Sequence, residues 1–174
     1  ITLSEEQYAH ATELAHKQGV ADKVTILLKG YQELDPSEYQ FDRIDSIGMF
    51  EHVGKPNLPV YMNTVNRLLK DDGISLLHSI IGTHEGTGNS CIGTYIFPGG
   101  YIPSLRETIS LLPDFDFHLL HCESLRLHYA KTLDLWDENY REHWAEISEK
   151  HGEEFARMWD LYLSACAATF HNGI

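Results

Sequence analysis

The spacing of apolar residues divides the chain into helical and extended segments. Near the start, apolar positions recur at helical spacing behind a capping pattern at Thr2 and Ser4, and Gly19 closes the predicted helix near Lys17. Short apolar and β-branched runs then favour strands, separated by segments of helical periodicity. The predicted strands are 23–28, 41–47, 74–81 and 115–123, and the further predicted helices are 59–70, 104–112, 129–148 and 152–170. This alternation is typical of an α/β fold in which helices cover an open parallel sheet.

Residues 82–103 form a long connection that is rich in glycine and contains proline. Connections of this length are uncommon within compact domains, and many of those that occur are lids or binding loops. We therefore predict a lid-like loop at 82–103. The 174 residues are enough for one sizeable domain, and the sequence has no internal repeats.

The charge balance limits the partners. Lys and Arg together number 13 against 26 Asp and Glu, which gives a formal net charge of -13. Such a chain repels the phosphates of nucleic acids and the anionic surface of a bilayer. We predict no nucleic-acid partner, and any contact with a membrane must rely on a local patch.

The cysteines and the apolar runs favour a cytoplasmic protein. The 3 cysteines, Cys91, Cys122 and Cys166, have no paired spacing, so neither a disulfide framework nor a zinc knuckle is indicated. No apolar run reaches the roughly 18 residues that a membrane span needs.

The stretch FDRIDSIGMFEHVG places an acid, Glu51, among apolar residues directly after a predicted strand. A buried carboxylate is costly unless a partner satisfies it. His78 lies near the carboxyl end of the next predicted strand. Ligands bind at the carboxyl ends of parallel strands. Neighbouring strands are about 4.8 Å apart, so polar side chains at two adjacent strand ends can reach one ligand. We predict that Glu51 and His78 share a pocket. Two alternatives stay open: Glu51 could be a cap or turn group, and His78 a hydrogen-bonded core histidine.

The 11 histidines do not indicate a metal site. The sequence lacks a His-x-x-x-His pair and a Cys-x-x-Cys pair, and His118 and His121 would face opposite sides of a strand. We predict that no metal is bound.

Several motifs together resemble a known family. SIGMFEHVG, LLHSI, YIFPGGYIPS, SLRLHYAKTLDLW and YLSACAATF occur in an order and spacing similar to the cyclopropane fatty acid synthases and the related mycolic acid cyclopropane synthases. The resemblance extends over essentially all 174 residues. It implies a Rossmann-like class I methyltransferase fold. It also implies transfer of a methylene group from S-adenosylmethionine to a cis double bond of a phospholipid acyl chain.

The resemblance implies a bicarbonate site. Glu51, His78 and Tyr129 correspond to the family residues that hold the ion, with the backbone near Ile80 contributing. Methylation of an alkene leaves a carbocation, and a base must then remove a proton so that the ring can close. Bicarbonate is the implied base. On the residues alone, Tyr129 could equally be a packing residue.

The resemblance also implies a cofactor site. Thr2, Leu3 and Gln7 correspond to the segment that contacts S-adenosylmethionine, and Gly30 and Tyr31 to the place where its adenine lies. Cys166 corresponds to a cysteine near the substrate channel, although its neighbours favour a small core residue.

The chain departs from the family pattern in several places. The family's Gly-rich cofactor loop, its first strands and its last strand are expected outside residues 1–174, and the loop 82–103 lacks the family's Trp and Lys. We therefore expect these residues to be an incomplete methyltransferase domain, part of a longer chain. Within it, residues 124–170 are expected to form a helical insertion on the substrate side.

The expected partners are phospholipid acyl chains at the inner face of the membrane. The segment 93–103 is the candidate for docking, because its aromatic residues could lie among headgroups. The alternative is a loop packed on the body by Tyr95 and Phe97. A homodimer is compatible with the sequence. Two other functions stay open: a C-methyltransferase that closes no ring, and a non-catalytic module that binds acyl chains.

Overall fold

The structure, a computed structural model, describes residues 1–86 and 91–173. These residues fall into two units, which are described separately. The first unit comprises Ile1–Ile81 and Gly99–His118, and the second comprises the described residues of Gly82–Pro98 and Leu119–Ile174.

The first unit combines a parallel strand pair with helices. Its strands are β1 (Phe41–Ile47) and β2 (Leu69–His78), and its helices are α1 (Glu5–Lys17), α2 (Phe50–Val53), α3 (Leu58–Leu68) and α4 (Leu105–Leu111). Short 3₁₀ turns cover Tyr31–Glu33, Lys55–Asn57 and Pro113–Phe115. This arrangement confirms the predicted α/β class.

The two strands run parallel and end together. The register pairs Ile47 with His78, so the carboxyl ends of β1 and β2 lie side by side. The register shifts between the pair Phe41 and Leu69 and the pair Arg43 and Ile74. The sequence predicted that β2 would start at residue 74. It starts earlier because the turn before that residue is a bulge inside the strand.

The bulge depends on two special residues. Asp72 has φ 61°, a left-handed conformation that Asp tolerates better than most residues. A Cβ on Gly73 would lie 2.6 Å from Leu69 Cδ2 and 2.8 Å from the Lys70 carbonyl oxygen, so a side chain does not fit there.

The core of the first unit forms where α2 and α3 pack against the strand pair. Phe50 is fully buried, and its ring meets the ring of Tyr61 at a centroid distance of 5.0 Å. Leu58, Met62 and Val65 complete the buried cluster. These residues recur every three to four positions along α3, which explains why the sequence predicted this helix. Burial of Phe50 fixes the short helix α2 that carries the next residue, Glu51.

The second unit is helical. Its helices are α5 (Arg126–Glu142), α6 (Trp144–His151) and α7 (Glu153–Asn172), with one π-helical turn at Ile92–Ile96. The start of α5 contacts the end of α7: Arg126 donates to the carbonyl oxygens of Phe170 and His171. The two helices therefore run antiparallel.

Apolar and polar contacts join α5 to α7. Leu133, Tyr140, Leu163 and Ala167 form the buried cluster between them. The Tyr140 hydroxyl donates to the carbonyl oxygen of Ala156 at 2.9 Å, so its buried polar group is satisfied.

Two predicted strands are wrong. In the described chain, the segment 23–28 contributes one isolated parallel bridge, between Thr2 and Leu28, and residues 117–125 have no regular structure. Leu28 is 42% exposed and Leu120 is 76% exposed. An apolar run becomes a strand only where a neighbouring strand accepts its backbone hydrogen bonds, and the described residues provide no such neighbour here.

The predicted helix 129–148 is also corrected. It begins earlier, at Arg126, and it is interrupted at His143, where the backbone leaves helical geometry (φ −102°, ψ 10°) and α6 begins. Gly152, at φ 90°, then separates α6 from α7. Helical periodicity continues through His143, so the apolar pattern alone did not reveal the break.

Candidate active site

Glu51 lies just beyond the carboxyl end of β1. Gly48, at φ 65°, turns the chain away from the strand, and its N–H donates to the carbonyl oxygen of His78 at 2.9 Å. The chain then enters α2, in which Glu51 follows the buried Phe50. The adjacent strand ends thus place Glu51 and His78 at the same edge of the sheet, and the pocket that they are predicted to share stays a prediction.

The two oxygens of the Glu51 carboxylate differ in their hydrogen bonding. Its Oε1 accepts a hydrogen bond from the backbone N–H of Ile80 at 2.7 Å. Its Oε2 is buried and has no hydrogen-bond partner among the described residues. A buried carboxylate oxygen without a donor is costly, so this atom is suited to a ligand that brings a hydroxyl or N–H group. The alternative that Glu51 is a cap or turn group does not explain the long-range contact with Ile80.

His78 is exposed at the end of β2. It shares a face of the strand pair with Ile74 and Leu76, which are 42% and 50% exposed. Its imidazole forms no hydrogen bond with the described residues, so the alternative of a hydrogen-bonded core histidine is wrong. The ring is free to donate to, or accept from, a bound molecule.

Tyr129 belongs to the second unit, whereas Glu51, His78 and Ile80 belong to the first. It lies in the first turn of α5, and its ring packs edge-on against Phe170 at a centroid distance of 4.8 Å. Tyr129 therefore packs within its own unit, and its part in a bicarbonate site stays a prediction.

The five predicted cofactor residues lie close together in the first unit. The Thr2 hydroxyl donates to Gln7 Oε1 at 2.7 Å, and the Thr2 N–H donates to the Leu27 carbonyl oxygen at 3.0 Å. A Cβ on Gly30 would lie 3.7 Å from Leu3 Cδ2, which shows how near the two segments are. Tyr31 follows Gly30, and its ring meets Tyr61 at 5.6 Å.

Glu33 is a residue of this region that the sequence reasoning missed. Its Oε1 accepts from the N–H of Gly30 at 2.7 Å and closes the turn. A Cβ on Gly30 would come within 3.1 Å of that oxygen, which favours glycine here.

A second missed feature is a polar cluster beside α2, formed by Lys55, Tyr101 and Glu107. Glu107 Oε1 accepts from Lys55 Nζ at 2.7 Å and from the Tyr101 hydroxyl at 2.6 Å. Its Oε2 accepts from the N–H of Ser104 at 2.9 Å. Ser104 and Glu107 form a capping box, and their spacing at the start of α4 was the signal in the sequence that could have revealed part of the cluster.

The cluster shifts the ionisation of its members. The Lys55 ammonium, then the Tyr101 hydroxyl and the Ser104 N–H, lower the pKa of Glu107 from 4.5 to about 2. Hydrogen bonds to Glu107 and Tyr101 raise the pKa of Lys55. Lys55 and Glu107 therefore stay oppositely charged through neutral pH.

This shift predicts an acid-dependent loss of stability. Because the pKa of Glu107 is lower in the folded state, its contribution is fully present above about pH 4.5 and declines as the pH falls towards about 2. Urea unfolding of the parent protein and of Glu107→Gln, compared at several pH values, checks this. We expect the parent to lose its advantage across that interval, and a difference that stays constant would contradict the prediction. The effect should be modest, because Lys55 is 59% exposed.

The second unit contains a small apolar cavity of about 160 Å³. It lies between the π-helical turn and α7, and its lining residues are Cys91, Ile92, Ile96, Met158, Leu161, Tyr162 and Ala165. Burial raises the pKa of Tyr162 to about 12, so its hydroxyl stays protonated. Cys166 packs against the second core, in agreement with the interpretation as a core residue.

Neither membrane-spanning helices nor metal clusters occur in the part of the chain that the structure describes. The helices in residues 1–86 and 91–173 are too short or too polar to cross a bilayer. In the same residues, His, Cys, Asp and Glu side chains do not gather in a group of three or more that could hold a metal ion.

Comparison with known proteins identifies the family. Residues 1–174 match the family model for mycolic acid cyclopropane synthetase over their whole length. The chain belongs to this family. The resemblance predicted from the sequence motifs is thus confirmed.

Curated members of the family are similar along nearly all of the chain. The cyclopropane-fatty-acyl-phospholipid synthase of Escherichia coli strain K12 is 41% identical over 172 residues, which are 98% of this chain and 43% of that protein. A probable fatty acid methyltransferase of Pseudomonas putida is 35% identical over 180 residues, which are 99% of this chain and 45% of that protein. The chain therefore spans less than half the length of these two relatives.

Solved structures of family members share the fold. The cyclopropane synthase MmaA2 from Mycobacterium tuberculosis gives a TM-score of 0.82 at 32% identity, and covers 98% of this chain and 64% of its own. The mycolic acid cyclopropane synthase CmaA1 complexed with SAH and CTAB gives 0.81 at 33% identity, with the same coverage. The fold of this chain is thus similar to that of these cyclopropane synthases.

Proposed function

We propose that the protein is a cyclopropane-fatty-acyl-phospholipid synthase. The observation that carries this proposal is the half-satisfied carboxylate of Glu51 at the carboxyl edge of the strand pair, beside His78. A relative of that name is 41% identical. The reaction adds a methylene group from S-adenosylmethionine to a cis double bond of a phospholipid acyl chain.

S-adenosylmethionine is the proposed methyl donor, bound in a Rossmann-like methyltransferase fold. SAH is what remains of this donor once its methyl group has left, and a similar structure is complexed with it. Thr2, Leu3, Gln7, Gly30 and Tyr31 would hold the nucleoside part. They fit, because Leu3 is 77% exposed beside Gly30 and offers an apolar surface to a purine. Thr2 fixes the Gln7 amide through its oxygen and leaves the NH₂ group to donate.

Bicarbonate is the proposed second ligand, held in the first unit by Glu51, His78 and Ile80. The unpartnered Oε2 of Glu51 fits this group, since it can accept from the hydroxyl of the ion. The His78 imidazole can donate to its oxygens. When bound, the ion supplies a base for the proton that ring closure must release.

The protein's own residues orient and shelter the reaction. The Ile80 N–H already donates to Glu51 Oε1, so in this chain its first contribution is to orient the carboxylate. The other oxygen is left free to accept. Exclusion of water would protect a carbocation from capture.

An acyl chain is the proposed substrate. The cavity between the π-helical turn and α7 is lined by carbon-rich side chains, which suits part of an alkyl chain. A similar structure is complexed with CTAB, a cationic surfactant that carries a long alkyl chain.

Contact with the phospholipid surface is proposed to involve Tyr95, which is 66% exposed in the π-helical turn. The ring of Phe97 instead packs against Tyr162 at a centroid distance of 6.1 Å. Tyr95 and Phe97 thus differ: Phe97 packs on its own unit, and Tyr95 is exposed to interact with headgroups.

A second candidate is methylation of a fatty acid without ring closure, because one relative is named a probable fatty acid methyltransferase. The two reactions differ in the fate of the transferred hydrogens. Ring closure removes one hydrogen from the new methyl group. In a methyl-branched alkene the methyl group keeps all of its hydrogens, because the cation loses a hydrogen of the acyl chain instead.

The test uses the purified full-length protein, vesicles of cis-unsaturated phospholipid, and S-adenosylmethionine with a trideuterated methyl group. We expect acyl chains that have gained a CD₂ unit, have lost one alkene and resist oxidative cleavage at the former double bond. A product that keeps the CD₃ group would indicate the second candidate. Acyl chains without deuterium would contradict both.

A further inference from the structure

The short helix that carries Glu51 is held from outside the strand pair. The carbonyl oxygen of Glu51 accepts from the N–H of Tyr101 at 2.8 Å. The Tyr101 hydroxyl in turn donates to Glu107 Oε1 at 2.6 Å. A chain of two hydrogen bonds therefore runs from the backbone of Glu51 to the first turn of α4.

The other side of α2 is tied to the same carboxylate. Lys55 follows Gly54, the residue at which α2 ends, and its Nζ donates to Glu107 Oε1 at 2.7 Å. The same ammonium lies 5.1 Å from the centroid of the Tyr101 ring. Lys55, Tyr101 and Glu107, which we name the α2 clamp, thus contact the helix at Glu51 and just beyond its end.

Two glycines let the clamp close. Gly54 has φ 79° and Gly99 has φ 77°, conformations that favour glycine. A Cβ on Gly54 would lie 3.8 Å from the carbonyl oxygen of Gly99, so the turn after α2 and the segment that leads to Tyr101 are neighbours in the fold.

We propose that the α2 clamp positions the Glu51 carboxylate for the reaction. This inference rests on the proposed function. The side chain of Glu51 is fixed by one hydrogen bond, from Ile80, so its remaining freedom depends on the backbone of α2. A helix of 4 residues has little stability of its own. The clamp supplies the missing restraint, and the clamp residues act through Glu51 without touching the reacting atoms.

The charges of the clamp support this role. Glu107 accepts from Lys55, Tyr101 and Ser104, and these contacts keep its carboxyl ionised through neutral pH. The side chain of Glu107 is 15% exposed, so its bonds compete little with water. A restraint of this kind stays in place over the whole range in which an enzyme works.

The test compares Glu107→Gln and Tyr101→Phe with the control Glu38→Gln, an exposed glutamate of the same unit. Each protein is first checked for folding by circular dichroism, and kcat and KM for methylene transfer are then measured. Small misplacement of a catalytic group costs up to about 100-fold in rate. We expect kcat to fall about 10-fold to 100-fold in the clamp variants, with little change in KM and none in the control.

A double variant shows whether the loss passes through Glu51. If it does, Glu51→Gln combined with Glu107→Gln should be no slower than Glu51→Gln alone. Multiplying losses, or folded clamp variants with the parent kcat, would overturn the inference while leaving the proposed function intact.

Amide hydrogen exchange at Ile80 supplies a readout that needs no activity. The N–H of Ile80 donates to Glu51, so a looser carboxylate should speed its exchange in Glu107→Gln and not in Glu38→Gln. Faster exchange in a protein that methylates no lipid would support the clamp and contradict the proposed function. Unchanged exchange in an active protein would overturn the clamp alone.

Discussion

Glu51→Gln is expected to lower kcat for methylene transfer by about 10²-fold to 10⁴-fold, the range for removing a group that serves proton transfer. The amide oxygen can still accept from Ile80, so the local fold is retained. The second oxygen, which is buried without a partner, becomes an NH₂ group that donates and does not accept. The variant therefore loses the acceptor for a ligand hydroxyl. Initial rates with labelled S-adenosylmethionine measure the effect.

The matched control is Glu38→Gln, which makes the same chemical change at an exposed position of the same unit. Its kcat should equal that of the parent protein. If Glu51→Gln and Glu38→Gln have equal rates, the carboxylate at the sheet edge has no part in the reaction.

Leu133→Ala is expected to lower the free energy of unfolding by about 2–5 kcal/mol, because it removes buried methyl groups and leaves a cavity. Leu133 is 0% exposed in the core between α5 and α7. Urea unfolding followed by tryptophan fluorescence is a suitable measurement, since Trp159 packs against the same cluster.

Leu135→Ala is the control for this effect. Leu135 lies on the same helix and is 57% exposed, so its replacement should change the free energy of unfolding by less than about 0.5 kcal/mol. Helix propensity does not explain a loss in either variant, because Ala is a better helix former than Leu. Similar losses in both variants would therefore contradict the prediction that burial decides the effect at Leu133.

The sequence was sufficient where the pattern is local. The apolar residues of α3 recur with helical period, and β1 coincides with the predicted strand 41–47. Both elements therefore lie where they were predicted. The carboxyl ends of β1 and β2 lie side by side, as the rule that parallel strands end on the same side requires. A pocket shared by Glu51 and His78 stays a prediction.

Features that depend on distant partners were not predictable in this way. Residues 23–28 have strand composition, yet within residues 1–86 and 91–173 they form one isolated bridge, to Thr2, in place of a strand. Lys55 and Glu107 are 52 positions apart and look like ordinary surface charges in the sequence. Their pairing requires that the turn after α2 and the segment before α4 be neighbours in the fold, which no local pattern encodes.

The bulge in β2 lies at the end of the strand that is distant from the site residue His78. Residues 70–73 leave the regular ladder, whereas the pairs from Arg43 with Ile74 to Ile47 with His78 are continuous. An insertion within the bulge can be absorbed there without moving these pairs. One residue added between Ile74 and His78 would instead turn His78 to the opposite face. Insertions and deletions are therefore tolerated at the start of β2, while the pairing that places His78 at its carboxyl end is preserved.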